Sequence, residues 1–400
     1  MTNVLSTAPM KILFVIGTRP EAIKLCPVVR GFREADGFEV LVCLTAQHRD
    51  MLDQVLEAFR VEADEDLDLM QPGQTLSQTT ARIIAAMEPV LAKHRPDLIV
   101  VQGDTTTTFC GALAGFYARI PVAHVEAGLR TGDLSQPFPE ELNRVLVTRL
   151  TAIHFAATPA AAENLRAEHV AEEAIFVTGN SGIDAVLQVQ DGLLRGEIQP
   201  AVVPAIDPAK RLILVTAHRR ESFGEPLEDI CAALLRLASR EDVQIVYPVH
   251  PNPHVTGPAR RNLGGHPRIQ LIEPLDYLSF VACMRRAYIL LTDSGGIQEE
   301  GPSLGKPVLV MRDKTERPEA VHAGTALLVG PHQERIVREV ELLLDNEAEY
   351  QRRARIHNPY GDGHATQRMI AAVRKFFGKA TGMSLEEAGR RACPSFGQSL

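Results

Sequence analysis

The feature that most restricts the fold of this chain is a unit that recurs along it: a short apolar run, a polar cluster and then a helical pattern. The first run, residues 11–16, is rich in branched and aromatic side chains and stops at Gly17. Such runs are typical of strands buried in a parallel sheet, and their alternation with helices predicts an α/β fold of doubly wound sheets. The other runs cover residues 39–44, 97–101, 120–123, 152–155, 175–178, 211–216, 243–247, 287–291 and 307–310.

The length of the chain and the distribution of these units predict two domains. A chain of 400 residues with 45% hydrophobic content is long enough to build two cores. The periodicity fades between residues 188 and 210, where prolines accumulate as they do in interdomain linkers. We therefore expect a flexible start (1–10), a first Rossmann-like domain (11–190), a linker (191–209), a second Rossmann-like domain (210–364), a helix (365–378) and a flexible tail (379–400).

The composition disfavours several classes of protein. A net charge of -8 disfavours nucleic acid and anionic membranes as partners. The six cysteines are scattered without a CxxC pair, which argues against a zinc site or a disulfide framework. The sequence has no Walker A motif, no dedicated metal cage, no secretory leader pattern and no apolar window of the roughly 18 residues that a membrane span needs. We expect a cytoplasmic globular protein without a bound metal.

Carboxylates follow two consecutive predicted strands. Asp104 comes after the run 97–101, and Glu126 comes after the run 120–123. Because ligands bind at the carboxyl ends of parallel strands, both side chains are expected at one rim of the sheet. Glu140 follows at a predicted helix start, where acidic residues are common without any catalytic role. Crowded carboxylates raise one another's pKa, so this group is suited to acid and base chemistry.

Cationic and glycine-rich segments lie at other strand ends. Arg19 opens the first helix, where it is either a phosphate contact or an ordinary surface arginine. Gly295 and Gly296 begin a helix whose amide groups suit a diphosphate, although glycine at a helix start also serves packing. His218 follows the strand at 211–216 and is placed to neutralise a departing diphosphate. Together these residues indicate a sugar nucleotide as the ligand.

Seven segments of the chain are long or distinctive enough to be compared with known families. They are GTRPEAIK (17–24), TAQHR (45–49), GDTTTT (103–108), HVEAGLR (124–130), HRRES (218–222), TDSGG (292–296) and TERPEA (315–320). Together they resemble the non-hydrolysing UDP-N-acetylglucosamine 2-epimerases of bacteria, in unbroken order from about residue 11 to 378, and several are long enough to be specific. The tail beyond residue 377 lies outside the resemblance.

The resemblance implies a fold and an activity. The fold is that of the GT-B glycosyltransferases, two Rossmann-like domains facing a cleft, with the helix at 365–377 crossing back to the first domain. The activity is interconversion of UDP-GlcNAc and UDP-ManNAc, with no cofactor and no metal. UDP is eliminated to leave 2-acetamidoglucal and is then added back, so that the configuration at C2 is inverted. A homodimer is also implied.

The resemblance also assigns roles to individual residues. The acid, base and charge-stabilising group consists of Asp104, Glu126, Glu140 and His218. The residues that contact UDP, its diphosphate or the sugar are Arg19, Lys24, Arg144, His250, Phe280, Ser294, Gly295, Gly296, Glu300 and Arg317. A second, activating UDP-GlcNAc is expected to contact Gln47, His48, Gln71 and Glu141.

Three other functions are compatible with this sequence. A hydrolysing relative would release free ManNAc and UDP, and a glycosyltransferase would use an acceptor in place of returning UDP. A nucleotide-sugar sensor would keep the fold without the chemistry. The presence of Asp104, Glu126, Glu140 and His218 disfavours the sensor.

Overall fold

The first part of the chain folds around a seven-stranded parallel sheet with helices between its strands. The computed structural model describes residues 8–45, 49–71 and 73–380. The elements of this part, in order, are β1 (Met10–Ile16), α1 (Arg19–Glu34), β2 (Phe38–Leu44), α2 (Arg49–Phe59), β3 (Glu65–Asp66), α3 (Leu76–His94), β4 (Leu98–Gln102), α4 (Thr106–Tyr117), β5 (Val122–Ala127), α5 (Glu140–Leu150), β6 (Ile153–Ala156), α6 (Pro159–Ala167), β7 (Ile175–Val177) and α7 (Ser181–Arg195).

The order of the strands in this sheet explains where its site lies. The spatial order is β3-β2-β1-β4-β5-β6-β7, and all five residues of β4 are buried. The order reverses between β1 and β4, and in doubly wound sheets ligands bind outside the carboxyl ends of the strands at such a switch point. Threonine side chains start the helices there: Thr105 accepts a hydrogen bond from the N–H of Thr108 and so caps α4.

A six-stranded parallel sheet forms the centre of the second part. Its spatial order is β10-β9-β8-β11-β12-β13, so that the switch point lies between β8 and β11. The elements of this part are β8 (Arg211–Thr216), α8 (Glu225–Ala238), β9 (Val243–Pro248), α9 (Pro253–Leu263), β10 (Ile269–Ile272), α10 (Tyr277–Arg286), β11 (Ile289–Thr292), α11 (Gly295–Glu300), β12 (Val308–Val310), α12 (Pro318–Ala323), β13 (Ala326–Leu328), α13 (Gln333–Asp345) and α14 (Glu347–Ala354). A further helix, α15 (Ala365–Ala380), follows them in the chain.

Contacts divide the chain into two compact units. Unit 1 contains the residues up to Ala185 and those from Gly361 onward, and unit 2 runs from Val186 to Tyr360. The division therefore falls inside α7, whereas the predicted linker covers residues 191–209. The prediction of an α/β protein with two doubly wound parallel sheets is confirmed.

The last helix, α15, belongs to unit 1 because a buried aspartate holds its first turn. The Asp184 carboxylate on α7 accepts hydrogen bonds from the N–H of Thr366 at 2.9 Å and of Ala365 at 3.1 Å. These are orphan donors of a helix start, and a carboxylate satisfies them well. Burial raises the pKa of Asp184, while these donors oppose the rise.

No helix within the described residues is long and apolar enough to cross a membrane. The predicted flexible ends fall largely on residues 1–7 and 381–400, which lie outside the described residues.

Candidate functional site

Asp104 lies just beyond the end of β4 and is bound by an arginine from α5. Its Oδ2 accepts hydrogen bonds from Nε of Arg144 at 2.9 Å and from the guanidinium Nη2 at 2.6 Å. The backbone carbonyl of Asp104 accepts a further bond from the amide of Asn143 at 2.8 Å. Two consecutive residues of α5 therefore fix both the side chain and the backbone of Asp104. Two donors of one guanidinium thus converge on a single carboxylate oxygen, and charge-assisted bonds of this kind are strong.

Glu141 connects this pair to the loop that precedes α5. Its Oε2 accepts a bond from Arg144 at 2.9 Å, and its Oε1 accepts the N–H groups of Thr131 and Gly132 at 2.9 and 3.0 Å. Burial alone would raise the pKa of Glu141, but these donors together hold it below its ordinary value. Glu141 was predicted as a contact for a second sugar nucleotide, and in the structure its side chain is buried within this network.

Glu126 lies inside β5, although the sequence analysis ended that strand at residue 123. The pairing of β5 with β6 shifts register between Val125 and Ala127, and Glu126 has a positive φ of 67°. Such a bulge turns a side chain away from the regular alternation of a strand. The Glu126 carboxylate accepts bonds from Nζ of Lys24 at 2.6 and 2.7 Å and from the side-chain amide of Gln102.

The carboxylates of Asp104 and Glu126 therefore stand at one rim with a cation beside each. In the pairing of β4 with β5, Gln102 lies opposite Val125. Asp104 comes two residues after Gln102, and Glu126 comes directly after Val125. The sequence analysis gave Lys24 and Arg144 as contacts to UDP, its diphosphate or the sugar and did not anticipate that they pair with the carboxylates. The rim thus carries the carboxylates that a proton-transfer site needs, and a neighbouring cation nearly balances the charge of each.

Glu21 is a site residue that the sequence analysis missed. Its carboxylate is buried and accepts the N–H of Gly17 at 2.5 Å, the N–H of Thr18 at 2.7 Å and the hydroxyl of Thr105. Burial raises the pKa of Glu21, and these donors oppose the rise. The spacing of a threonine and a glutamate three residues later is a capping-box signal, which was visible in the sequence. Glu21 joins the start of α1 to the loop that carries Asp104.

Two buried histidines lie side by side beneath this rim. His124 of β5 is in register with His154 of β6, and both rings are buried. Nε2 of His124 contacts the backbone carbonyl of Gly103 at 2.7 Å. Because a carbonyl only accepts, Nε2 carries the hydrogen and Nδ1 is the bare nitrogen. Burial lowers the pKa of His124 to about 4 and that of His154 to about 3.

These histidines predict a loss of stability in acid. The unfolded chain binds protons near pH 6.5, whereas the folded rings stay neutral down to about pH 4 and 3. The unfolded state therefore holds more protons in that window, and the free energy of unfolding falls as the pH is lowered through it. We expect His154 to contribute on the order of 3 kcal/mol to the change between pH 7 and pH 4.

Urea unfolding of the His154→Asn variant at several pH values tests this contribution. The variant should show a shallower dependence of the unfolding free energy on pH than the parent chain. His169→Asn is the matched control, because His169 is exposed and its positive φ of 64° suits asparagine. Equal slopes for parent and His154→Asn would contradict the prediction.

In unit 2, His218 and Asp293 meet at the switch point between β8 and β11. Oδ2 of Asp293 accepts the N–H groups of His218 and Arg219 at 2.6 and 2.7 Å, and Oδ1 lies 3.1 Å from Nδ1 of His218. The ring of His250 stacks on that of His218 with centroids 5.6 Å apart. Partial desolvation and then the neighbouring His218 lower the pKa of His250. Two of the predicted residues, His218 and His250, are thus brought together.

The start of α11 lies against Arg317. A Cβ atom on Gly295 would come within 2.8 Å of the guanidinium carbon of Arg317, so only glycine permits this approach. Nε of Arg317 donates to Glu299 at 2.8 Å, and Glu316 lies 3.7 Å from its Nη1. The predicted diphosphate seat therefore has a held guanidinium beside its backbone.

The other predicted residues take these places. Arg19 is the first residue of α1, and Glu140 is the first residue of α5. Phe280 lies on α10, and both Glu140 and Phe280 are half-buried. Ser294 occupies the N-cap position of α11 without a capping hydrogen bond from its side chain, and Gly296 and Glu300 lie on that helix. Gln71 is exposed, while Gln47 and His48 lie outside the described residues. Among the described histidine, cysteine and acidic side chains, no group of three or more is arranged to hold a metal ion.

The family of this chain follows from its sequence as a whole. The sequence model of the UDP-N-acetylglucosamine 2-epimerase family matches residues 30–374. This chain belongs to that family. A UDP-N-acetylglucosamine 2-epimerase of Escherichia coli K12 is 56% identical over 371 residues, which are 91% of this chain and 98% of that relative. The resemblance stated from the motifs is thereby confirmed.

Solved structures of the epimerase family share the fold. The UDP-GlcNAc 2-epimerase of Neisseria meningitidis, bound to UDP-GlcNAc, is 46% identical with a TM-score of 0.84, over 92% of this chain and 100% of that one. The enzyme of Methanocaldococcus jannaschii, in complex with UDP-GlcNAc and UDP, is 32% identical with a TM-score of 0.74, over 92% and 100% of the two chains. MurG of Acinetobacter baumannii, 14% identical with a TM-score of 0.56, shares the GT-B architecture alone.

Proposed function

We propose that this protein interconverts UDP-GlcNAc and UDP-ManNAc by eliminating UDP and adding it back to the opposite configuration at C2. The observation that carries the proposal is the pair of carboxylates, Asp104 and Glu126, that stand at the carboxyl ends of paired strands in a chain of the epimerase family. The names of the relatives support the substrate.

The carboxylates of unit 1 handle the proton on C2. In the elimination, a carboxylate takes the C2 proton, the electron pair forms the C1–C2 double bond, and the C1–O bond breaks with its electrons going to the oxygen of UDP. The products are 2-acetamidoglucal and UDP. The return step reverses these changes with a proton delivered to the other face of C2. Asp104, Glu126 and Glu140 are the three candidates for these transfers, and Arg144 and Lys24 donate to two of them and orient them.

The residues of unit 2 bind the nucleotide. Ser294, Gly295 and Gly296 offer backbone amide groups to the diphosphate, and His218 and Arg317 supply the positive charge that compensates the leaving group. Glu300 binds the ribose hydroxyls, Phe280 lies at the uracil, and His250 flanks the diphosphate. Arg19, at the start of α1 in unit 1, is a further proposed phosphate contact.

Incubation with UDP-GlcNAc in deuterated water tests the proposal. Nuclear magnetic resonance should show UDP-ManNAc and loss of the C2 proton signal from both sugars. Free ManNAc with UDP would instead indicate hydrolysis. An unchanged substrate would contradict the epimerase proposal, and turnover that appears only after addition of a sugar acceptor would indicate a glycosyltransferase.

The proposed activity includes regulation by a second UDP-GlcNAc. Gln47, His48, Gln71 and Glu141 are its proposed contacts, and the buried Glu141 would act through the loop at Thr131 that it holds. A rate curve in UDP-ManNAc alone should show a lag that trace UDP-GlcNAc removes. A simple hyperbola without a lag would argue against regulation.

We further propose a cytoplasmic homodimer. The cysteines of the described residues, Cys26, Cys43, Cys110, Cys231 and Cys283, are free and buried, which suits a reducing compartment. Large apolar side chains are exposed on α3, α4 and α5, namely Leu76, Phe116, Tyr117, Leu142 and Leu146. Exposed apolar groups on adjacent helices are typical of a subunit interface. Light scattering of the protein in solution measures the oligomeric state directly.

A further inference from the structure

Asp293 is a buried carboxylate of unit 2 to which the proposed function gives no role. It follows β11 directly, and its side chain is completely buried. β8 and β11 pair with Thr216 opposite Thr292, and the N–H of Asp293 donates to the carbonyl of Thr216 at 3.0 Å. This pairing continues past the ends of the strands and brings Asp293 beside the residues that follow β8. The hydroxyl of Tyr247 holds the same segment by donating to the carbonyl of Ala217 at 2.7 Å.

The carboxylate of Asp293 contacts His218 and the residue after it, and these contacts fix His218. One carboxylate oxygen accepts the backbone N–H groups of His218 and Arg219, and the other lies 3.1 Å from Nδ1 of the His218 ring. Burial alone would raise the pKa of Asp293, but His218 and the two N–H groups hold it below its ordinary value. Oδ1 of Asp293 is buried and has no hydrogen-bond partner among the described residues, and Nδ1 of His218 is the nitrogen that approaches it. Because an ionised carboxylate only accepts, this approach favours a hydrogen on Nδ1.

Nε2 is then the ring atom of His218 that remains for a ligand. The His218 side chain is 38% exposed, whereas Asp293 is fully enclosed. The ring of His250 covers one face of the imidazole at an interplanar angle of 14°. The part of the ring that remains exposed is therefore available to a ligand.

We propose that Asp293 is the positioning residue of His218: its carboxylate fixes the ring with a hydrogen on Nδ1, so that Nε2 faces the diphosphate of the sugar nucleotide and donates to it when the ring is protonated. This inference rests on the proposed function. When the C1–O bond breaks, negative charge grows on the phosphate oxygen, and a protonated ring donates to it from Nε2. A buried carboxylate on Nδ1 stabilises that imidazolium and holds its orientation, as in other His–Asp pairs.

A double-mutant cycle tests whether Asp293 acts through His218. Asp293→Asn should lower kcat about 100-fold, and His218→Gln by at least as much. Residues that act as one unit are not additive, so the double variant should lie within about threefold of His218→Gln. A double variant whose loss equals the product of the single losses would overturn the proposal.

Asp184→Asn is the matched control for this cycle. Asp184 is also buried and also accepts two backbone N–H groups, but it caps α15 in unit 1, and these two groups belong to Ala365 and Thr366 rather than to a histidine. The Asp184→Asn variant should lose about as much stability as Asp293→Asn. Its effect on kcat should combine with that of His218→Gln as an independent change, so that the fold-losses of the two single variants multiply in the double variant.

A spectroscopic measurement on the ligand-free protein separates this inference from the proposed function. With ¹⁵N-labelled histidine, the resonances of His218 should show a protonated Nδ1 in the parent chain and in Asp184→Asn. These resonances should change in Asp293→Asn, because the amide of an asparagine can donate as well as accept and so no longer requires a hydrogen on Nδ1 of His218. A parent ring with a bare Nδ1 would show the proposal to be wrong. Because this readout needs no turnover, a protein without epimerase activity would refute the proposed function and leave this result decisive.

Discussion

Replacement of Asp104 by asparagine is expected to lower the rate of C2 deuteration about a thousandfold. An amide cannot take or deliver the proton, and general acid or base catalysis contributes factors of about 10² to 10⁴. The change is nearly isosteric, and the bond from Asn143 to the backbone carbonyl of residue 104 is retained. The measurement is loss of the C2 proton signal of UDP-GlcNAc in deuterated water.

Two further measurements distinguish chemistry from binding and folding. UDP affinity, measured by calorimetry, should change less than about threefold, because the proposed UDP contacts lie mainly in unit 2. Asp191→Asn is the control: Asp191 is exposed on α7, and its ion pair with Arg195 is 3.7 Å long. Unimpaired exchange in Asp104→Asn would remove this carboxylate from the proton-transfer group.

The central strands could be predicted from sequence because burial on both faces leaves a continuous apolar run. The run at 11–16 and β1, Met10–Ile16, differ by one residue. The strands β3, β10 and β13 were not predicted. β3 consists of Glu65 and Asp66, and the other two are only four and three residues long. All three lie at sheet edges, where pairing with one neighbour rather than composition decides the structure.

The candidate site was predictable in its rim and not in its pairings. Consecutive apolar runs are visible in sequence, so Asp104 and Glu126 were expected at one rim, and the pairing of β4 with β5 brings them there. The end of β5 was not visible, because the strand continues past residue 123 and includes Glu126. The partner of Asp104 is 40 residues away and that of Glu126 is 102 residues away. Only the packed fold decides which cation reaches which carboxylate. The bulge at Glu126 was likewise hidden, because it arises from the register of β5 against β6.

That bulge leads to a second prediction with a large effect. Gly128 follows β5 with a φ of 88°, and a Cβ atom there would lie 2.2 Å from the backbone oxygen of Ala161 in α6. Positive φ costs a residue with a side chain about 1–2 kcal/mol, and forced overpacking adds about 1–3 kcal/mol. We expect Gly128→Ala to lower the free energy of unfolding by about 2–5 kcal/mol, measured by urea titration.

Gly132→Ala separates the two causes, because Gly132 has a similar φ of 79° and no atom within 4 Å of the added Cβ. It should lose only the backbone cost of about 1–2 kcal/mol. If both variants lose the same amount, the backbone of α6 yields and does not fix the end of β5. If Gly128→Ala loses more stability than Gly132→Ala, the close contact with α6 fixes the segment that begins at the strained Glu126. The backbone that follows Glu126 then cannot move, and the Glu126 carboxylate keeps its direction.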